Sequence, residues 1–445
     1  MMRHGFPQGR GDPLLRKCKS AAAFRRPAAL SDSLRHQQRI GATMPAVPPV
    51  PPSEASRALG LSTFAFTICF AVWTIFSIIG LQIREQLSLT ETQFGLLIGL
   101  PILTGSLVRI ALGVLTDRLG GRRVYTLTML AAAGATFLLS WASTWPQMLL
   151  AALGVGLAGG SFAVGVAYVS RFYAEGRQGT ALGIFGTGNV GAAVTKFAAP
   201  FVMLALGWQA TAQIWAGALA LTAVLFWLLS KDDPVTAAGQ GRKTSLRAEL
   251  APLGQMRVWR FSAYYFFSFG GFVALALWLP HYLTQVYGFG VGTAGMIGAA
   301  YSIPGSIFRA YGGVLSDRIG ARAVMYATFL VSLAATAILS IPAGVPVPVF
   351  LAVIFVLGFV MSLGKAAVYK HIPSYYPGHV GAVGGLVGMI GGLGGFALPL
   401  LFGWLRDQTG LWSSCFMALF LLVGLCALWM HASIRQMGRA PLQTA

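Results

Sequence analysis

Arg109, Arg309, Lys196 and Lys365 each fall inside a long apolar run, and no acidic residue falls at a comparable depth in any of them. The acids Asp12, Asp32, Glu54, Glu85, Glu91, Asp117, Glu175, Asp232, Asp233, Glu249, Asp317 and Asp407 lie at run ends, in polar breaks or in the tail. Arg109 stands eight residues before Asp117, and Arg309 eight before Asp317. On a helix rising about 1.5 Å per residue, that spacing sets each guanidinium roughly 12 Å inward of its aspartate. A snorkelling arginine needs an interface within reach of its head group, and from this depth neither interface is. A cation stranded there costs at least about 2.5 kcal/mol on insertion scales, so the missing counter-charge has to come from outside the chain. The chemistry open to these residues is anion binding. Guanidinium is planar, permanently charged and forked, which suits a flat oxyanion held by paired N–H donors. A lysine crowded by arginines in an apolar setting, Lys196 or Lys365, could sit neutral in the empty site and take up a proton as the anion arrives. Lys370, five residues beyond Lys365 and near the end of its run, fits a snorkelling side chain as well as a part in that coupling.

The composition says what surrounds these cations. Of 445 residues, 56% are hydrophobic and only 10% charged, against about 25% charged in ordinary soluble domains. Mean hydropathy is +0.69. Most of the surface must face lipid, which excludes a soluble enzyme; no catalytic residue is expected. Four cysteines (Cys18, Cys69, Cys415, Cys426) and six histidines show neither CxxC nor ligand spacing, so no metal, cofactor or disulfide framework is expected. GFVMSLGKAA at 358–367 has one glycine-to-glycine residue too many for a phosphate loop, Ala after its Lys, and an apolar setting, so no nucleotide is expected either.

A membrane helix needs roughly 20 apolar residues, and the sequence predicts twelve: 60–82, 93–116, 123–144, 147–170, 179–206, 210–229, 259–283, 293–316, 322–342, 347–371, 380–405 and 410–434. One long polar loop separates the sixth from the seventh. The expected organisation is a disordered tail over 1–58, a six-helix half over 59–230, a linker over 231–258, a second half over 259–435 and a short tail over 436–445. Residues 1–43 carry nine basic and two acidic residues and no apolar segment of a secretory signal. They read either as a targeting presequence or as sequence upstream of a start at Met44.

The net charge of +20 is placed by side rather than spread. Arg118, Arg122, Arg123, Arg171, Arg177, Lys231, Arg242, Lys243, Arg247, Arg257, Arg318 and Arg322 cluster at one set of connections, while those near 145, 207, 288 and 344 carry no Lys or Arg. By the positive-inside rule, both termini and the linker are expected in the cytoplasm, with the chain multi-pass in the cytoplasmic (inner) membrane. Charge with that purpose gives no reason to expect a nucleic-acid partner.

The halves repeat. GSLVRIALGVLTDRLGGR (105–122) and GSIFRAYGGVLSDRIGAR (305–322) match at 10 of 18 positions with an offset of 200 and no gap. Two six-helix repeats are a secondary-carrier plan, with the substrate site near midplane where the halves meet. Glycines fill 9 of the 18 positions from 378 to 395 and 5 of the 13 from 179 to 191. Such faces let helices approach closely, and could also let halves rock and bring backbone near an anion.

The string G-x-x-x-D-R-x-G-x-R, with Gly113, Asp117, Arg118, Gly120 and Arg122 and a copy containing Asp317 and Arg318, resembles the loop motif of the major facilitator superfamily. That resemblance implies an all-α membrane protein of twelve helices in two pseudo-symmetric halves, with the motif helping to latch the cytoplasmic gate. Arg109 and Arg309, together with ALGIFGTGNVGAAVTKFAAP (181–200) and GAVGGLVGMIGGLGGFALP (381–399), resemble the nitrate/nitrite porter family. GKAAVYKHIPSYYP (364–377) and Lys196 further resemble its nitrate/proton symport branch. The resemblance covers about 60–435. It implies a pocket in which Phe162, Tyr265, Phe269 and Asn189 surround the arginines, and a monomer taking nitrate, with nitrite possible, and protons across a lipid bilayer. The expected function is nitrate import by proton symport. Nitrate/nitrite exchange, carriage of another small or organic anion and, from a different class, an anion channel or sensor stand as alternatives.

Overall fold

The computed structural model describes residues 51–173, 175–237, 251–342, 344–376 and 380–439. The expected tail up to Val50, including Met44, the linker residues 238–250 with Arg242, Lys243 and Arg247, and residues 440–445 lie outside the described residues. Every long element among those described is a helix. In a medium without water each backbone N–H and C=O must find a partner within its own segment, and a helix does that alone.

In chain order the helices are α1 (Pro52–Trp73), α2 (Phe76–Leu87), α3 (Glu91–Leu119), α4 (Gly121–Leu139), α5 (Trp145–Val155), α6 (Leu157–Ser170), α7 (Glu175–Gly186), α8 (Gly191–Leu229) and the single turn α9 (Pro234–Ala237). Then follow α10 (Met256–Tyr265), α11 (Phe272–Tyr287), α12 (Val291–Ile319), α13 (Ala321–Leu339), α14 (Val347–Tyr375), α15 (Val380–Thr409) and α16 (Ser414–Arg439). Among the described residues nine helical stretches are long and apolar enough to cross a membrane. One of them, Ala181–Leu229, is two helices meeting at a kink at Gly207, whose φ of +84° only glycine adopts without strain. The helices Gly121–Leu139 and Val291–Ile319 occupy the positions of the third and eighth expected spans but are not among the nine.

Helix ends differ from the sequence expectation at several places. The first helix starts at Pro52, inside the expected tail, because proline suits a first helical position. The last helix runs to Arg439, past the expected end of the second half. Within the expected linker, Pro234–Ala237 and Ala251–Gly254 form single turns, and α10 begins at Met256. Four expected spans are broken, the fifth span by the 3₁₀ turn Thr187–Val190 between α7 and α8. Thr74 and Ile75 break the first, Gly156 the fourth, and a wide π-turn over Phe266–Gly271 joins α10 to α11.

Helices α3 and α15 pack closely, as do α8 and α12, and these two pairs join the repeats. Missing side chains set the approach. A Cβ on Gly95 would overlap the Pro399 carbonyl, one on Gly403 the Glu91 carbonyl, and one on Gly295 the Lys196 carbonyl. All three contacts lie toward the end marked by Glu91. Toward the end marked by Asp117 and Asp317, a Cβ on Gly113, Gly183, Gly186, Gly313 or Gly385 would meet nothing within 4 Å. At the Glu91 end, then, the two halves touch backbone to backbone.

Candidate functional site

Arg109 lies two-thirds of the way along α3 and is 8% exposed. Its guanidinium rests against two aromatic rings, 5.4 Å from the centroid of Phe162 on α6 and 5.7 Å from that of Trp73 on α1. These are cation–π distances. From the opposite half, the Gly388 carbonyl accepts a hydrogen bond from Arg109 Nη1 at 3.2 Å. A mid-helix carbonyl is reachable because residue 392, one turn on, has no side chain: a Cβ there would sit 3.6 Å from Nη1 and 2.5 Å from Ser106 Oγ. The Arg109 Nε remains buried without a partner among the described residues.

Trp73 is held by sequence features of its own. Its indole N–H donates to the Pro101 carbonyl at 2.7 Å. Cβ atoms on Gly105 and Gly159 would overlap its ring, so both glycines are needed to seat it. The second repeat copies this device: a Cβ on Gly305 would overlap the ring of Phe272. There the ring serves a different cation, with Lys365 Nζ 3.2 Å above its centroid. The same ammonium donates to the Gly305 carbonyl at 3.0 Å, which also accepts from Ser362 Oγ at 2.8 Å.

Arg309 is half-buried on α12, one turn beyond Gly305, and its guanidinium stands 5.6 Å from the ring centroid of Tyr369. Tyr369 is the piece that ties the arginines together. Its hydroxyl donates to the Gly384 carbonyl at 3.1 Å, one turn before the carbonyl that binds Arg109. Its ring meets Tyr265 edge-on at 4.9 Å, and Tyr265 stacks on Phe269 at 5.0 Å with planes 8° apart. The π-turn over Phe266–Gly271 supplies the extra width at this point, a distortion that recurs where helices carry function.

The remaining sequence candidates fall into two groups. Asn189 is 7% exposed on a 3₁₀ turn, Thr187–Val190, which packs on α1 and on α12, the helix of Arg309. Lys196 is wholly buried, with Nζ 3.3 Å from the Ala192 carbonyl and its stem against Gly298 on α12. Neither Arg109, Arg309, Lys196 nor Lys365 pairs with a carboxylate of any described residue.

The loop-motif residues lie apart from this centre. Asp117 pairs with Arg171 at 2.5 Å, and Arg171 also reaches the fully buried Asp233 at 3.1 Å. Asp317 pairs with Lys370. Lys370 is thus placed beside the motif at the bundle end, away from the buried lysines. Arg118 and Arg318 are exposed, and Gly113 and Gly313 border open space.

Sequence reasoning overlooked Trp73, Phe272, Tyr369 and the Gly388 carbonyl. Tyr369 had a signal, one helical turn after Lys365 on the same face. It also overlooked a second polar cluster at the opposite end. There Glu91 bonds His281 Nε2 at 2.7 Å and Arg84 at 2.6 Å, while the Glu91 and Thr92 N–H groups donate to Asp407.

The Major Facilitator Superfamily model matches residues 61–294 and 282–441. A Thermus thermophilus protein named "Probable nitrate/nitrite antiporter NarK1" is 42% identical over 409 residues, covering 85% of this chain and 91% of that one. The "Nitrite extrusion protein" of Bacillus subtilis is 29% identical, covering 81% and 90%. "Probable nitrate/nitrite transporter NarK2" of Mycobacterium tuberculosis is 34% identical, covering 78% and 88%. Among solved structures, a bacterial homolog to the human lysosomal transporter Spinster superposes with a TM-score of 0.69 at 16% identity, over 86% of this chain and 98% of that one. The nucleoside transporter NupG gives 0.66 at 16% identity, over 84% and 99%. Paired arginines from two repeats, glycine-rich crossing helices and these likenesses agree, and the chain belongs to the nitrate/nitrite porter family of the major facilitator superfamily.

Proposed function

We propose that this chain is a secondary carrier that takes nitrate inward across the cytoplasmic membrane by alternating access, with protons as the co-transported ion, working as a monomer. The observation that carries the reading is the pair Arg109 and Arg309. They come from two repeats, are linked through Tyr369 and the backbone of α15, and have no carboxylate partner among the described residues. A small planar anion between them would accept N–H bonds from both guanidinium groups, with Phe162, Tyr265 and Phe269 closing the faces and Asn189 at the rim. In this reading the Asp117 end, being the basic one, faces the cytoplasm together with both termini.

Proton coupling would rest on Lys365, which bonds the Gly305 carbonyl one turn before Arg309, so that anion entry beside Arg309 changes the charge the lysine feels. Lys196, wholly buried with Nζ 3.3 Å from the Ala192 carbonyl, is the second candidate. Exchange of nitrate for nitrite is the reading favoured by the name of the Thermus relative.

Labelled nitrate uptake into proteoliposomes separates the outcomes. Symport gives uptake that follows an imposed pH gradient without internal nitrite; exchange requires internal nitrite and ignores the gradient. Competition by carboxylates would point to a larger anion, and flux indifferent to trans substrate would point to a channel. Failure of nitrate to move under any condition overturns the proposal.

A further inference from the structure

At the closed end, Glu91 sits at the first turn of α3 and His281 inside α11, so their 2.7 Å contact joins one half of the molecule to the other. Both are buried, at 8% and 1% exposure. Glu91 Oε2 takes the imidazole and Oε1 takes Arg84 from α2. A second link runs beside the first, from the N–H groups of Glu91 and Thr92 to the Asp407 carboxylate on α15. His281 is enclosed by aromatic rings, Phe94 at 4.5 Å, Trp412 at 5.3 Å and Trp278 at 5.5 Å. Its other ring nitrogen, Nδ1, is buried with no hydrogen-bond partner among the described residues.

This cage suits one proton and resists a second. Glu91 as a carboxylate accepts two charge-assisted bonds, one from Arg84 and one from a neutral imidazole carrying its proton on Nε2. A second proton has two places to go. On Nδ1 it would create a buried N–H with no acceptor, a loss that is greatest when the group is charged. On Glu91 it would remove an acceptor from Arg84 or from His281. Once the halves part at this end, water reaches both groups and either proton is accommodated. The other charges facing the pair are Arg84 and Glu85 on α2, and Asp407 and Arg406 on α15, the latter 4.8 Å from the Trp412 ring. None of them offers Nδ1 an acceptor in the structure.

We propose that Glu91 and His281 form a proton-binding site that locks this end of the carrier: with one proton between them they hold it shut, and a second proton releases it. The proposal rests on the alternating-access reading above but not on the identity of the anion. The site lies apart from the arginines and lysines, and it sets which way the carrier faces without any proton having to cross. In the orientation argued above, acid outside the cell would open the end that nitrate enters.

The test measures the closed end directly, without nitrate. Nitroxides are placed at Trp141→Cys and Ile341→Cys, both exposed at this end on opposite halves, with Cys18, Cys69, Cys415 and Cys426 replaced by alanine. Distances between labels are read in reconstituted protein from about pH 8 to about pH 5, bracketing the ordinary histidine range near 6.5. The expected result is a shift from the short to the long distance on acidification, changing the ratio of the two on the order of tenfold. His281→Gln, which keeps a donor for Glu91 but takes no proton itself, should stay short through the histidine range and lengthen only where Glu91 takes a proton. Glu91→Gln should be long-shifted at every pH. An unchanged distribution in the parent protein, or a shift at the parent's pH in His281→Gln, overturns the proposal. Because the parent titration needs no substitution at the lock, misfolding of either variant leaves a decisive measurement. A label shift without nitrate uptake in the parallel assay would uphold the lock while removing the nitrate reading.

Discussion

A guanidinium in oil is expensive, and the way Arg109 is accommodated shows what it lacks. Two aromatic faces and one backbone carbonyl offset part of the cost, yet Nε keeps an unused buried donor and no carboxylate balances the charge among the described residues. An arginine meant only to join the two halves would be expected to have an acid opposite. Replacing Arg109 or Arg309 by alanine should therefore cut nitrate uptake about a hundredfold or more, in line with the 2–5 kcal/mol lost when a buried charged partner is truncated. Immunodetection in membranes should show normal insertion. Arg109→Lys keeps the charge but loses the fork, and should weaken nitrate binding by about 1.5–3 kcal/mol in titrations of purified protein. Lys365→Met should leave binding intact while uptake stops responding to the pH gradient; a response of full size would remove Lys365 from the coupling scheme. The two arginines could be read from the sequence because a cation in an apolar run contrasts with everything around it. Trp73, Phe272 and Tyr369 could not, since an aromatic residue among aliphatic ones looks the same whether it faces lipid, core or substrate.

At the scale of elements, the joint between the repeats is built from absent side chains. Helices α3 and α15 touch backbone to backbone at Gly95 and Gly403, and the same bareness at Gly392 exposes the carbonyl that Arg109 uses. Packing and site are thus one feature of α15, and substitutions should separate them by position along the helix. Gly95→Leu, far from the arginine, should hold the Glu91 end apart; nitrate should still raise the thermal unfolding midpoint of the purified protein while uptake falls to background. Gly392→Leu, beside Ser106 and Arg109, should abolish that ligand-induced rise as well. A normal uptake rate in Gly95→Leu would show that closure there is not needed. Run length made the helices legible, because lipid thickness sets it. The breaks were uneven: the kink at Gly207 falls between the expected spans 179–206 and 210–229, whereas the π-turn at Phe266–Gly271 has no composition that marks it. The start at Pro52 was missed because polar residues over 52–58 read as tail although nothing in them opposes a helix.

For the whole molecule, the offset of 200 announced two related halves, and the structure shows how far the relation extends and where it stops. Gly120 and Gly320 adopt nearly the same backbone, with φ of +87° and +86°. The seats of Trp73 and Phe272 are likewise equivalent, although the first ring lies under Arg109 and the second under Lys365. The motif aspartates diverge most. Asp117 shares Arg171 with Asp233, which is fully buried and also accepts from the Gly121 and Thr236 N–H groups. Asp317 instead meets Lys370, with both side chains more than half exposed. These pairings were invisible in the sequence because each partner sits on another helix or in the linker, more than fifty residues away. Exposed pairs are worth about 0–1 kcal/mol, whereas removing one member of a buried pair costs about 3–5 kcal/mol. Arg171→Ala should accordingly lower the unfolding midpoint of the purified protein well beyond Lys370→Ala, and the double variant Arg171→Ala with Asp233→Asn should recover part of the loss by removing the stranded charge. Each motif pair joins elements of its own half, so these substitutions should alter stability more than the direction in which the carrier faces. The opposite pattern is expected for Glu91 and His281, which join one half to the other. Equal destabilisation by Arg171→Ala and Lys370→Ala, or a change in the label distance at the Glu91 end as large as that produced by Glu91→Gln, would show that the two ends are not the separate devices their contacts indicate.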